Sequence, residues 1–231
     1  MSSKKANSTT RNKKSIFKND LSNLFKLISN KKDFFLLIFI NLIIQIYITY
    51  YVIDNVDASK QTQRNRNIAY LFTFALILIL AFIPMPAWLK FFIFSLFSAL
   101  LGFILSSIKT TVGEEVIKSA VLGTFSIFVF MFAFGIALIA NGVKLSYQFG
   151  LGLFFALLLL IFISIVQYFI LPSSFLKKSI IVCTLLLFSV FIVYDTNNIL
   201  QRDYGGDFIT ASLDYYLDIV NIFTALLADN S

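Results

Sequence analysis

Histidine is absent from the 231 residues, and cysteine occurs once, at Cys183. No disulfide can close within the chain, and zinc or haem sites built on His and Cys have no ligands. Cys183 lies in an apolar run and is expected to be a buried, inert thiol. Without imidazole, a response to pH near neutrality must come from carboxylates or the amino terminus. Only three prolines interrupt the chain, which leaves room for long helices, and no segment shows the two-residue alternation of a membrane barrel. A catalytic Ser/His arrangement, a phosphate-binding P-loop and a dinucleotide fingerprint are all missing, so enzymatic chemistry is not expected. Charge is scarce as well: 13% of residues are Asp, Glu, Lys or Arg, against roughly 25% in soluble domains.

What is present is apolar surface. Hydrophobic residues make up 58% of the chain, with 28 Phe and a positive mean hydropathy, well above the roughly 45–50% of soluble domains. The chain is an all-α integral membrane protein whose first partner is the lipid bilayer. Its net charge of +7 has one address: residues 1–33 hold nine Lys/Arg and two acids, whereas residues 34–231 hold ten of each. Such a tail fits a solvated cytoplasmic arm beside anionic headgroups, and no nucleic-acid partner is expected. Within it, residues 1–15 read as irregular. The apolar spacing of residues 16–28, around Lys18 and Lys26, fits a short amphipathic helix on the membrane surface. The first long apolar stretch starts only at Phe34 and carries no small-residue cleavage site after it, so it is an anchor and not a signal peptide.

From Phe34 the sequence predicts seven membrane-spanning helices: 34–53, 68–83, 87–108, 116–140, 147–171, a sixth beginning after Lys177-Lys178, and 208–227. Pro84-Met85-Pro86, Asn141-Gly142 and Pro172 mark the breaks. Trp88 beside Lys90 is an interface anchor. Residues 34–227 thus form one transmembrane domain, with the tail 1–33 before it and a short end, 228–231, after it. In the first helix Asn41, Gln45 and Thr49 share a face, either as a pore lining or as hydrogen-bonding partners for neighbouring helices. Small residues also share faces: Ser95, Ser98, Gly102 and Ser106 in the third helix, Ser119, Gly123 and Ser126 in the fourth, Gly152 and Ala156 in the fifth. Close helix packing is the expected use. With the tail inside, twelve Lys/Arg fall on the cytoplasmic side and seven opposite, and the tail decides that balance.

Carboxylates in the last two helices need a reason, because an ionised side chain at mid-membrane costs about 2.5–3.5 kcal/mol on insertion scales. At about 100° per residue, Asp214, Asp218 and Asn221 lie within ~60° of one another, with Ala211 and Ala225 extending the stripe. A polar face of this kind must meet protein or a wet cavity, so the seventh helix is expected at the centre of the bundle. Asp195 sits near the end of the sixth. If the two helices form a straight hairpin, Asp195, Asp214 and Asp218 lie roughly 9, 10 and 16 Å from the link. The three are expected to share one vestibule, with the depths pairing Asp195 and Asp214. Such an oxygen-only cluster suits a cation, Ca²⁺ included, or a proton.

The same residues carry a family likeness. Tyr194-Asp195-Thr196, a short polar link, then Ala211-Ser212-Leu213 and Tyr216-Leu217-Asp218-Ile219-Val220-Asn221-Ile222-Phe223 resemble the signature of the Bax inhibitor (transmembrane Bax inhibitor motif) family of calcium-leak membrane proteins. Leu122-Gly123-Thr124 adds a weaker similarity. The resemblance implies a seven-helix bundle with the C-terminal helix central, acting as a pH-sensitive calcium leak channel of the endoplasmic reticulum or Golgi and as a suppressor of apoptosis. It implies Asp218 as the partner of Asp195. The two acids share a proton or a hydrogen bond when closed, repel when ionised and contact Ca²⁺ transiently. Asp214 is then a third carboxylate, where relatives usually carry a small or neutral residue, and Asn221 lines the same path. Ca²⁺ enters as the permeant ion, with no resident cofactor, and membrane proteins that regulate apoptosis are the implied partners. Some relatives latch the acidic pair with an arginine after the second helix. Here Lys90 is the nearest base and the candidate latch, although a lysine cannot reproduce a bidentate fork. Two other functions suit the same residues: a non-conducting interaction protein that modulates cell death, and a proton-coupled cation transporter.

Overall fold

A computed structural model describes the backbone of residues 3–229 and the side chains of Lys26 and residues 28–229. The chain forms α1 (Ser3–Asn55), α2 (Gln63–Phe82), α3 (Ala87–Leu105), a single turn α4 (Ile108–Thr111), α5 (Glu114–Ala140), α6 (Tyr147–Phe169), α7 (Ser174–Gln201) and α8 (Phe208–Asp229), with no strand among the described residues. Seven of these helices are long and apolar enough to cross a membrane. In the tail, the helical backbone runs without a break from Ser3 into α1, so no irregular stretch separates it from the first span. The amphipathic face expected over residues 16–28 rests largely on side chains outside the described ones, as do residues 230 and 231.

Local chemistry sets the boundaries. α2 begins five residues earlier than its apolar run because the Thr62 hydroxyl accepts the Asn65 N–H at 3.2 Å. Ser173 caps α7 in the same way, at 3.4 Å from the Leu176 nitrogen, so Lys177 and Lys178 lie inside that helix and not ahead of it. α3 stops at Leu105, three residues short of expectation. There the hydroxyls of Ser106 and Ser107 donate back to Phe103 O and Ile104 O at 2.8 and 3.1 Å, competing with the ladder.

Contacts between links define two membrane faces. Lys31 Nζ donates to Arg202 O at 2.5 Å, and Lys90 pairs with Asp207 at 2.5 Å. The root of the tail, the α2–α3 link and the α7–α8 link therefore share the tail-side face. On the far face Lys109 pairs with Asp54 at 2.5 Å, and Gln61 Nε2 donates to Ser106 Oγ at 2.7 Å. α8 is unbroken across the bundle.

The C-terminal helix is central, as its polar stripe requires. Half of the apolar window of α8 is buried, the largest share of the seven, whereas none of α6 is. α8 packs on α7, α1, α5 and α3, and α6 leans on α7 at the rim. Lipid tails are as apolar as leucine, so burial alone does not drive these helices together; packing and hydrogen bonds do. The face of Asn41, Gln45 and Thr49 is such a seam. Asn41 Nδ2 donates to Ser212 Oγ at 2.5 Å, Ser98 Oγ to Gln45 Oε1 at 2.9 Å, and Thr49 Oγ1 to Ser98 O at 3.1 Å while meeting Tyr216 Oη. Gly102 lets α3 approach α1 so closely that a Cβ there would lie 2.6 Å from Thr49 O. An aromatic cluster closes the tail-side half: Tyr215 of α8 meets Phe128 edge-on at 5.3 Å, and Phe39 lies against Phe132 at 5.4 Å.

Three expectations fail here for one reason, the lipid-facing rim. Cys183 is exposed on α7, because an apolar run in a membrane can be solvated by lipid as well as by protein. A Cβ on Gly152 would meet nothing within 4 Å and Ala156 is exposed, so the small pair of α6 packs on no other helix among the described residues. On α5 the buried small positions are Ala120, Thr124 and Gly135, while Ser119 and Ser126 face outwards.

Candidate functional site

The site is built where α7 and α8 fold back on each other. The end of α7 is held from three directions. Asn197 accepts the Leu145 N–H at 2.8 Å and donates to Val143 O at 3.0 Å, fixing the α5–α6 link. Thr196 Oγ1 and Tyr215 Oη are 2.8 Å apart, tying α7 to α8. Gly135 brings α5 so near that a Cβ on it would lie 2.7 Å from Thr196 Cβ and 2.9 Å from Val193 O. These three contacts bracket Asp195.

The start of α8 is held by Asp207. Its carboxylate accepts the Thr210 N–H at 3.0 Å, the Thr210 hydroxyl at 2.7 Å and Lys90 Nζ at 2.5 Å. Burial works to raise the pKa of this group, but the Lys90 ammonium and the two Thr210 donors outweigh it and leave the carboxyl below its ordinary range. In the same link, burial, with the charges of Asp214 and Asp195 added, pushes the Tyr204 phenol well above its ordinary value.

Between these anchors the carboxyl groups of Asp195 and Asp218 come within hydrogen-bonding reach of each other, and both are buried, at 8% and 3% exposure. A hydrogen bond between two carboxyl groups requires one of them to hold a proton. Asp218 Oδ2 is fully enclosed and accepts from no donor among the described residues. Depth arithmetic alone would have paired Asp195 with Asp214. Side chains lean toward the N-terminus of their own helix, however. Asp195 therefore leans away from the link and Asp218 toward it, which closes an offset of roughly 6 Å along the axes. Asp214, leaning the same way as Asp218, is carried toward the level of Asp207 and Lys90.

The remaining expected residues are placed differently. Lys90 is not on the acidic pair: its ammonium is on Asp207 and Thr210, eleven residues and about 16 Å before Asp218 along α8. Asn221 Nδ2 donates to Leu217 O of its own helix at 2.7 Å rather than to a carboxylate. Asp214 stands near enough for its charge to act on both Asp195 and Asp218, while no three acidic, His or Cys side chains among the described residues converge on a metal-sized point. The sequence reading missed Gly135, Asn197 and Tyr215. Of these, Asn197 carried a signal, an amide immediately after Tyr194-Asp195-Thr196 at the end of an apolar helix, where loop backbone needs partners.

Comparison with known proteins follows this geometry. A family model described as "Inhibitor of apoptosis-promoting Bax1" matches residues 31–228. The chain is 33% identical over 122 residues to Protein LIFEGUARD 4 of Arabidopsis thaliana, covering 51% of this chain and 47% of that protein. It is 32% identical over 132 residues to Bax inhibitor 1 of Schizosaccharomyces pombe, covering 57% and 48%. With the Golgi anti-apoptotic protein of vaccinia virus (strain Lister) it shares 35% over 78 residues, covering 34% and 32%. The chain thus spans about half the length, or less, of the curated relatives it matches.

Proposed function

The chain belongs to the Bax inhibitor family, and from that premise we propose that it is a pH-sensitive calcium leak channel of an intracellular membrane, endoplasmic reticulum or Golgi, that restrains apoptosis. The observation that carries this reading is the close approach of the buried carboxyl groups of Asp195 and Asp218. With one proton shared, the pair holds α7 to α8. Loss of that proton sets two like charges against each other; at ~4 Å and an effective dielectric of ~20 they repel by about 4 kcal/mol. That is enough to shift a two-state equilibrium by about three decades. The Thr196–Tyr215 hydrogen bond beside the pair is the strap that opening must break.

The donor set agrees with passage rather than storage. Two carboxylates supply at most four oxygens, and Ca²⁺ takes six to eight, so backbone carbonyls and water would complete its shell at a weak site. Asp214 adds negative potential nearby without joining the pair. Lys90 serves another purpose, holding the first turn of α8 through Asp207. The names of two relatives, Bax inhibitor 1 and Golgi anti-apoptotic protein, support the role in cell death, and the second supports a Golgi location. The basic tail supports a cytoplasmic tail-side face.

The test is flux. Purified protein is reconstituted into liposomes that enclose a calcium indicator, and Ca²⁺ entry is followed between about pH 5 and about pH 8. Entry that rises with pH as the pair ionises is expected. No entry at any pH would replace the channel with the non-conducting interaction protein.

A further inference from the structure

Helices α1 and α5 meet on the tail-side half of the bundle, where Phe35 lies edge-on to Phe132 at 5.8 Å and Phe39 to Phe128 at 6.5 Å. Beyond Phe128 they diverge. The gap forms a cavity of about 320 Å³, backed by Ile219, Val220 and Phe223 of α8. A second cavity of about 770 Å³ shares Tyr50, Val121 and Phe125 with the first and continues outwards to Asp54, Lys109, Glu114 and Lys118 at the far face. At 100° per residue, Ile219, Val220 and Phe223 lie on the side of α8 turned away from Asp218. The cleft is therefore separate from the acidic pair.

We infer that this cleft seats one acyl chain of a zwitterionic phospholipid, with the headgroup held by the four charged residues at its mouth. Three features point to that occupant. The first is its setting: the cleft opens sideways past Tyr50, Val121 and Phe125, which are 60%, 55% and 64% exposed at bilayer depth, where the surrounding medium is lipid tails. Its deepest polar groups are already engaged, Thr49 with Tyr216, and Thr124 Oγ1 donating to Ala120 O at 2.7 Å, so the floor offers nothing to an ion or a file of water.

The second is length. From Glu114 at the mouth to Phe128 at the floor, α5 covers fourteen residues, about 21 Å. Half of a hydrocarbon core is ~15 Å, so the cleft takes one chain of one leaflet and ends near the midplane. The third is charge. Lys109 pairs with Asp54 at 2.5 Å and Lys118 with Glu114 at 2.9 Å, leaving the lining charges balanced. Each ammonium keeps at least one further N–H for a phosphate, and each carboxylate keeps negative charge to face a headgroup ammonium. An anionic headgroup would satisfy only the two lysines.

The inference holds whether or not the protein conducts Ca²⁺, and its test does not measure flux. The full chain is reconstituted in phosphatidylcholine vesicles with a trace of phosphatidylcholine bearing a photoactivatable diazirine midway along one chain, and crosslinked peptides are mapped by mass spectrometry. Labelling of residues 46–53 and 121–128 should exceed that of the outward face of α6, residues 155–162, severalfold. Val121→Trp fills the cleft from a lipid-facing position and should abolish the excess while leaving α6 labelling unchanged; Ile53→Trp should do the same from the opposite wall. Equal labelling of cleft and α6, or an excess that survives both substitutions, overturns the site. If the same diazirine chain on phosphatidylglycerol labels the cleft as strongly, the headgroup assignment fails.

Discussion

Replacing Gly135 by alanine presses on the acidic pair without touching it. The new Cβ would lie 2.7 Å from Thr196 Cβ and 2.9 Å from Val193 O, whereas carbon atoms rest at about 3.5–4.0 Å. One of those neighbours is backbone, so no rotamer change can relieve both contacts, and α5 and α7 must separate by roughly 1 Å. Overpacking of this kind costs about 1–3 kcal/mol. Thr196 adjoins Asp195, and an O–H···O bond holds only out to about 3.0 Å. A displacement of that size therefore weakens the Asp195–Asp218 bond as well. The assay is paired: thermal unfolding in detergent, and the pH profile of Ca²⁺ entry in liposomes. Gly152→Ala is the control, because nothing lies within 4 Å of it and alanine gains up to about 1 kcal/mol in helix propensity. Gly135→Ala should unfold earlier and shift the profile, with Gly152→Ala as stable as wild type or more so. A Gly135→Ala protein of unchanged stability and unchanged profile would refute the close approach of α5 and α7 on which the reasoning stands.

Asp207→Asn keeps an N-cap side chain but removes the charge that Lys90 meets. Because the folded carboxyl sits below its ordinary value of 3.8, its contribution is fully present above that value and is lost as pH falls through the folded one. The variant should be less stable at neutral pH by at most about 1 kcal/mol, the pair being partly exposed, and the deficit should vanish in acid. Unfolding midpoints across pH measure this. Tyr216→Phe removes the contact with Thr49, which keeps its bond to Ser98 O at 3.1 Å. The expected loss is about 0.6 kcal/mol and no more than about 2, read from chemical unfolding. Gly206 has φ +82° in the α7–α8 link, so Gly206→Ala should cost about 1–2 kcal/mol and lower the melting temperature.

Much of this architecture was legible in the sequence because membrane helices announce themselves by length. The breaks at Pro84, Pro86, Asn141-Gly142 and Pro172 all fall at observed helix ends. The polar stripe of Asp214, Asp218 and Asn221 placed α8 at the centre without any knowledge of its neighbours. Contacts were less accessible. Lys90 was matched to the wrong acid because Asp207 reads as an ordinary link residue, and only the fold shows that the first turns of α3 and α8 lie at one level. Gly135 left no trace among ordinary apolar neighbours, since what a glycine permits depends on the backbone opposite. The choice between Asp214 and Asp218 could not be made from axial depth, because both carboxyls lean several ångströms away from their Cα positions. Cys183, Ser119 and Ser126 were misplaced because hydropathy does not distinguish a lipid-facing residue from a core residue.

The acidic pair is tested most directly by measuring Ca²⁺ entry against pH for Asp195→Asn, Asp218→Asn and the double variant in the same liposomes. Two groups that share one proton act as a unit. Either single substitution should abolish the pH-dependent step, and the double variant should do no more than one alone. Effects of the two substitutions that simply add, or a wild-type profile retained in either single variant, would contradict the account.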